Sequence, residues 1–191
     1  YISSYNMNIF DFKLYIFDLD GTILNTEYYH YSAYKKQAPT LTYRLYQDIF
    51  HDNIKKKQFI IKHNICKKQK EKDFKELYKN NYSYVEGFLT FLNNLILKNK
   101  EICVVTHSSK DRCSFIKSLH PELINIKHWI TKDDVRISKP NNEGFLTAIS
   151  YFNKPLKDII IFEDSYTGYQ AVQNINVSKV FIGKDDYFYS N

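Results

Sequence analysis

Five short apolar runs recur along the chain, and each has the length of a single β-strand. They occupy residues 14–17, 102–105, 128–130, 159–162 and 180–182. A strand with one face in water alternates apolar with polar residues, whereas these runs are apolar almost throughout. Near-continuous hydrophobicity is typical of strands that are buried on both faces of a parallel sheet. We therefore expect a parallel sheet to form the framework of the fold.

Helical periodicity fills much of the chain between these runs. Three sets of residues recur at positions i, i+3, i+4 and i+7: Phe88, Phe91, Leu92 and Leu95; Phe145, Ala148, Ile149 and Phe152; Gly168, Ala171, Val172 and Ile175. We expect Ser108 or Ser109 to cap the helix after the second strand, and Pro140 to lie just inside the helix after Lys139. Strands that alternate with helices predict right-handed βαβ units. The fold class we expect is α/β, with a Rossmann-like, doubly wound parallel sheet.

Residues 26–84 differ in character from the rest of the chain. They contain no glycine, one proline and no convincing strand, and they are rich in lysine and tyrosine. We expect a small all-helical insertion here, after the first strand, and a core formed by residues 8–25 and 85–191. Residues 1–6, which precede the only methionine, are left out of this fold. Two buried apolar faces are predicted for the insertion: Ile54, Ile61 and Ile65 on one, and Phe74, Leu77 and Tyr78 on the other.

The net charge of +6 comes from one part of this insertion. Between His51 and Lys79, ten lysines stand against four acidic residues, and the rest of the chain sums to zero. Such a lysine-rich segment could contact the phosphates of a nucleic acid, but most charge runs are solvated helix faces. Nucleic acid therefore stays open as a partner without being favoured.

The three cysteines, Cys66, Cys103 and Cys113, have neither the number nor the spacing of a disulfide framework or a zinc site. We expect reduced thiols and a cytoplasmic protein, because no secretory pattern is visible at the start of the sequence. The longest uninterrupted apolar runs, such as residues 159–162, are far shorter than the ~20 residues of a membrane-spanning helix. No membrane partner is expected.

Polar residues follow four of the five predicted strands, and their chemistry points to phosphoryl transfer. In chain order they are Asp18 and Asp20, then Thr106 and His107, then Lys139, and finally Glu163 and Asp164. In open parallel sheets, ligands bind beyond the carboxyl ends of the strands, where such residues meet. Several carboxylates beside one lysine would repel one another unless a cation neutralised them, and Mg²⁺ prefers oxygen ligands. One carboxylate could then attack phosphorus to give an aspartyl phosphate, while a second exchanges protons.

These motifs, in this order, resemble those of the haloacid dehalogenase superfamily of phosphatases and phosphotransferases. The superfamily signature corresponds here to Asp18-Leu19-Asp20-Gly21-Thr22. Within the superfamily, the chain is most similar to the β-phosphoglucomutase-like branch in two segments, Asp20-Gly21-Thr22-Ile23-Leu24-Asn25-Thr26-Glu27 and Glu163-Asp164-Ser165-Tyr166-Thr167-Gly168. That branch inserts a helical cap where this chain has its glycine-free segment. The resemblance implies an α/β core that carries the chemistry and a helical cap.

The resemblance also implies a role for each residue of the predicted site. Asp18 would be the nucleophile, and Asp20 would be the general acid and base and would offer its backbone carbonyl to the metal. Thr106, the backbone N–H of His107, and Lys139 would bind the phosphate. Mg²⁺ would be held by Asp18, Asp20, Asp164 and Glu163. His30 follows the first motif, where related caps can carry a histidine near the active site, although a histidine on a helix surface is the commoner case.

The function expected from these features is a Mg²⁺-dependent phosphomonoester phosphatase that acts on a small phosphorylated metabolite. A phosphomutase of the same superfamily shares every core residue and would need a cap that binds a second phosphate. A nucleotide or nucleic-acid end phosphatase would use the lysine-rich insertion to bind its substrate.

Overall fold

The computed structural model describes residues 8–50 and 52–183, so residues 1–6 and the last eight residues of the predicted core lie outside the described chain. Within it, five parallel strands form one sheet in the order β3-β2-β1-β4-β5. The strands are β1 (Leu14–Phe17), β2 (Glu101–Val105), β3 (His128–Ile130), β4 (Ile159–Glu163) and β5 (Ser178–Phe181). The predicted fold class, a Rossmann-like parallel α/β sheet, is confirmed.

Strand β1 occupies the centre of the sheet because its residues are apolar on both faces. All four of its side chains are fully buried. Its last residue, Phe17, is level with Val104 of β2 and with Phe162 of β4. The residues that follow β1, β2 and β4 therefore lie side by side at one edge of the sheet.

Among its described residues, the core contains four α-helices: α5 (Phe88–Leu97), α6 (Lys110–Leu119), α7 (Glu143–Phe152) and α8 (Tyr166–Val172). Ser109 caps α6, since its hydroxyl accepts from the backbone N–H of Arg112. The prediction for Pro140 is wrong, because α7 begins three residues later. The backbone N–H of Asn141 donates to the carbonyl of Ser138, so Pro140 lies in a turn before the helix.

The second compact unit, Asn25–Ser83, contains four helices among its described residues. They are α1 (Glu27–Gln37), α2 (Tyr43–Phe50), α3 (Asn53–Lys62) and α4 (Lys67–Lys79). The interior of this unit is largely aromatic and includes Tyr31, Tyr34, Tyr46 and Phe59. The first compact unit contains the described chain up to Leu24 and from Tyr84 onwards.

One predicted face of the helical insertion is wrong. Ile54 and Ile61 of α3 are 70% and 68% exposed, whereas Phe59 is buried. The ring of Phe59 packs against Phe50, with ring centroids 5.6 Å apart. Residues five apart in a helix differ by about 140° in direction, so burying Phe59 turns Ile54 towards water. Of the three predicted isoleucines, only Ile65, which follows the helix, is buried.

The three cysteines are free thiols, as predicted. No helix of the described chain has both the length and the apolar character needed to cross a bilayer.

Candidate active site

The first predicted motif forms a tight loop directly after β1. The backbone N–H of Asp18 donates to the carbonyl of Phe162 at 2.9 Å, which ties the start of the loop to β4. Gly21 adopts φ = 86°, a conformation that side chains with a Cβ rarely take. A Cβ at this position would lie 2.0 Å from Oδ2 of Asp164. The glycine thus allows both the turn and the close approach of Asp164.

Lys139 joins two of the predicted carboxylates. Its Nζ lies 2.5 Å from Oδ1 of Asp18 and 2.6 Å from Oε1 of Glu163. All three side chains are buried. Burial alone would lower the pKa of Lys139, but the charges and hydrogen bonds of Asp18 and Glu163 raise it above its ordinary value. The lysine is therefore a fixed cation between two carboxylates.

Glu163 is held by hydrogen bonds at both of its carboxylate oxygens. Its Oε2 accepts from the backbone N–H groups of Asp164 and Ser165 and from the hydroxyl of Ser165, each at 3.0 Å. The carboxylate also lies directly on Gly168, where a Cβ would come within 1.8 Å of Cδ of Glu163. With Oε1 bound to Lys139, this side chain positions the lysine and the loop after β4.

Asp18, Glu163 and Asp164 form an acidic cluster, in which each residue offers a carboxylate oxygen within 4.8 Å of the others. Burial raises the pKa of Asp18 to about 8; Lys139 opposes the shift, and Glu163 and Asp20 add to it. A donor set made only of oxygen atoms, with more negative charge than one lysine balances, suits a hard divalent cation such as Mg²⁺. The predicted metal ligands Asp18 and Asp164 thus fit a Mg²⁺ site by charge and atom type.

The raised pKa of Asp18 predicts how metal-free protein responds to pH. A carboxyl group whose pKa is higher in the folded state contributes stability that is complete below its unfolded pKa, near 4, and is lost as the pH rises through about 8. In EDTA, we expect the unfolding temperature to fall between pH 5.5 and pH 8.5. Mg²⁺ requires ionised carboxylates, so the rise in unfolding temperature on adding Mg²⁺ should be larger at pH 8.5.

Differential scanning fluorimetry over this pH range, with EDTA or with Mg²⁺, measures both effects. Asp18→Asn is the matched variant and should lose much of the pH dependence. An equal Mg²⁺ effect at both pH values would contradict the prediction.

The loop after β2 brings Thr106 and Ser108 to the same edge of the sheet. The buried hydroxyl of Thr106 accepts from the backbone N–H of Ser108 at 3.0 Å, which leaves its own O–H to donate. The side chain of His107, between them, is exposed. Oγ of Ser108 donates to Oδ2 of Asp20 at 2.7 Å. The Asp20 carboxylate is thus bound to the β2 loop rather than included in the acidic cluster.

Two functional contacts were missed by sequence reasoning. Ser108 was predicted only as a possible helix cap, yet its hydroxyl binds Asp20. Thr22 was recognised only as part of its motif, and its Oγ1 donates to Oδ1 of Asp164 at 3.1 Å. Both residues could have been found from the sequence, because Ser108 directly follows His107 and Thr22 lies two residues after Asp20.

His30 lies in the helical unit and contacts residues of that unit. Its Nδ1 is 2.6 Å from Nζ of Lys70. Its ring stacks on Phe74, with centroids 4.3 Å apart. The contacts described for His30 therefore connect α1 to α4.

Comparison with known proteins supports one family over most of the chain. Residues 15–182 match the sequence model of the haloacid dehalogenase-like hydrolases. A validoxylamine A 7'-phosphate phosphatase from Streptomyces hygroscopicus subsp. limoneus is 25% identical over 184 residues, which are 87% of this chain and 83% of that protein. A phosphorylated carbohydrates phosphatase from Thermotoga maritima is 24% identical over 193 residues, covering 87% of this chain and 82% of that protein.

Solved structures show the same fold. CbbY from Rhodobacter sphaeroides, in complex with phosphate, is 17% identical and superimposes with a TM-score of 0.76 over 93% of this chain and 88% of that one. The family match includes residues of both compact units and every residue of the predicted site. The prediction that the chain is an enzyme is confirmed: it belongs to the haloacid dehalogenase-like hydrolase family.

Proposed function

We propose that the protein is a Mg²⁺-dependent phosphomonoester phosphatase that acts through an aspartyl-phosphate intermediate. The observation that carries the proposal is the buried carboxylate of Asp18, which lies 2.5 Å from the Lys139 ammonium and within the acidic cluster. A carboxylate so placed is a nucleophile with a cation beside it. The two relatives named above act on phosphorylated carbohydrates or on a 7'-phosphate, which supports a small sugar phosphate as the substrate class.

In the first half of the reaction, the Asp18 carboxylate attacks phosphorus, and the bond between phosphorus and the leaving oxygen breaks. An ammonium has three N–H donors, of which Lys139 uses two on Asp18 and Glu163. The third donates to a phosphoryl oxygen, and the hydroxyl of Thr106 and the backbone N–H of His107 donate to others. Asp18, Asp164 and the backbone carbonyl of Asp20 would hold Mg²⁺, which when bound would supply neutralising charge.

Asp20 moves the proton in both halves of the reaction. Its carboxyl group gives a proton to the leaving oxygen as the phosphoester bond breaks. The resulting carboxylate then takes a proton from the water that attacks the aspartyl phosphate. Inorganic phosphate leaves, and Asp18 and Asp20 return to their starting states.

A phosphate-release assay tests the proposal. The substrates are sugar phosphates, nucleoside monophosphates and 5'-phosphorylated oligonucleotides, each with Mg²⁺, with EDTA, and with EDTA followed by excess Mg²⁺. We expect release from sugar phosphates with Mg²⁺, background release in EDTA, and recovery on adding Mg²⁺ back. Full activity in EDTA would contradict the metal site, and no release from any substrate with Mg²⁺ would contradict the phosphatase assignment.

The exposed lysines of α3 and α4 favour a second candidate, a phosphatase that acts on nucleic-acid ends. Lys55, Lys57, Lys67 and Lys68 are all exposed. Their charges would attract a polyanion, an effect that salt screens. Preference for the oligonucleotides at low salt, lost at physiological salt, would support this candidate.

A phosphomutase would instead exchange sugar phosphate isomers, which phosphorus NMR detects.

A further inference from the structure

A chain of three polar side chains ends on the carboxylate of Asp20. Oγ of Ser108 lies 2.7 Å from Oδ2 of Asp20, and Nη1 of Arg112 lies 3.1 Å from the same Oγ. Ser108 is only 1% exposed, and Arg112 is half-buried. Water therefore competes poorly for the central hydroxyl of the chain.

The chemistry of arginine fixes the direction of these hydrogen bonds. A guanidinium group only donates, so Oγ of Ser108 accepts from Arg112. The hydroxyl has a single proton, which it donates to Oδ2 of Asp20. The two hydrogen bonds together set the orientation of the Asp20 carboxyl group.

The start of α6 holds Arg112 in place for this contact. Arg112 lies in the first turn of the helix, where its backbone N–H donates to the hydroxyl of the capping residue Ser109 at 3.3 Å. Side chains in a helix lean towards its N-terminus, which directs Arg112 back to the loop that carries Ser108. Without Arg112, the Ser108 hydroxyl would lose the donor that fixes its rotation.

We propose that Arg112 is a positioning residue, which acts through Ser108 to hold the Asp20 carboxyl in the orientation that exchanges a proton with the leaving group. The inference rests on the proposed phosphatase function. In that reaction the O–H bond of the Asp20 carboxyl breaks as the leaving oxygen takes the proton and its bond to phosphorus breaks. During hydrolysis the Asp20 carboxylate takes a proton from the attacking water, so the balance is restored.

The test compares Arg112→Ala with the wild type on phenyl phosphate and p-nitrophenyl phosphate, with Mg²⁺. Phenolate is the poorer leaving group and depends more on proton donation. We expect kcat for phenyl phosphate to fall about 10- to 100-fold, the range that follows from misplacing a reacting group. The kcat for p-nitrophenyl phosphate should fall much less, and KM should not change for either. Millimolar guanidinium ion should restore part of the lost kcat.

Further variants separate positioning from a structural role. Ser108→Ala should show the same dependence on leaving group. The double variant Ser108→Ala/Arg112→Ala should have a kcat for phenyl phosphate only slightly below that of Ser108→Ala, because Arg112 acts through Ser108. Arg112→Lys keeps a hydrogen-bond donor and should retain more activity than Arg112→Ala. If Arg112→Ala does not fold, Arg112→Lys is compared with the wild type on the same two aryl phosphates. Arg136→Ala, which removes an exposed arginine of the core, is the matched control and should behave as wild type.

Equal losses on both substrates, a change in KM alone, or additive losses in the double variant would overturn the role of Arg112. If wild-type protein is active and Arg112→Ala matches it, only this inference fails. If wild-type protein with Mg²⁺ releases phosphate neither from these aryl phosphates nor from the sugar phosphates, the proposed function fails, and the role of Arg112 fails with it.

Discussion

Replacing Asp18 with asparagine should abolish turnover while leaving the protein folded. An amide is too weak a nucleophile to attack phosphorus and is a poorer metal ligand than a carboxylate, so both proposed functions of the side chain would be lost. We expect kcat to fall about 10⁴-fold or more, as is typical when a nucleophile is removed. Asparagine has the same shape and can still accept a hydrogen bond from Lys139, which favours an intact fold. Phosphate release under saturating Mg²⁺, together with the circular dichroism spectrum, measures both outcomes.

The matched control for this variant is Asp48→Asn, because Asp48 is an exposed aspartate on α2. It should keep wild-type activity. A second check is the covalent intermediate itself: rapid acid quench followed by mass spectrometry should detect a phosphorylated peptide containing Asp18 in the wild type alone. Activity of Asp18→Asn above a tenth of the wild-type value would show that another residue attacks phosphorus.

Replacing Lys139 with methionine should cost both stability and activity. The substitution keeps an unbranched side chain of similar length but leaves the buried carboxylates of Asp18 and Glu163 without their cation. Removing one partner of a buried ion pair typically costs about 3–5 kcal/mol. In EDTA, we expect a loss of this size at pH 8, measured by urea unfolding, and a smaller one at pH 5.5, where protonation of Asp18 relieves the repulsion.

Two other variants make the result specific. Lys139→Arg keeps the positive charge and should retain more stability than Lys139→Met, yet lose activity because a planar guanidinium does not replace a compact ammonium. Lys67→Met removes an exposed lysine and should change little. If Lys139→Met were as stable as the wild type at pH 8, the carboxylates would not need the lysine for charge balance.

The sequence predicted the core of the fold and the residues of the candidate site through one physical rule. Parallel strands end at a common edge, so polar residues after separate apolar runs meet in space. Along the chain, Lys139 is 121 residues from Asp18 and 24 residues from Glu163, and Asp18 and Glu163 are 145 residues apart. In the structure, Lys139 donates a hydrogen bond to each of the two carboxylates. The apolar runs alone therefore placed these residues together.

Other features depend on tertiary packing that local patterns do not contain. Helix α3 has apolar residues on several sides, so the partner that buries Phe59 decides which isoleucines face water. Ser108 and Ser109 are equally suited to cap α6, and only the position of Asp20 distinguishes them. Pro140 is compatible with a helix start or with a turn, and the hydrogen bond between Asn141 and Ser138 accompanies the turn.

The contact between Gly168 and Glu163 limits how this enzyme can be made more thermostable. A glycine inside a helix costs about 0.5–1 kcal/mol relative to alanine, so α8 would ordinarily be a promising place for a stabilising Gly→Ala substitution. Here the new methyl group would occupy the space of the carboxylate that holds Lys139. A search for more thermostable variants should leave residue 168 unchanged, since any gain in helix propensity would disturb the carboxylate that holds Lys139 next to Asp18.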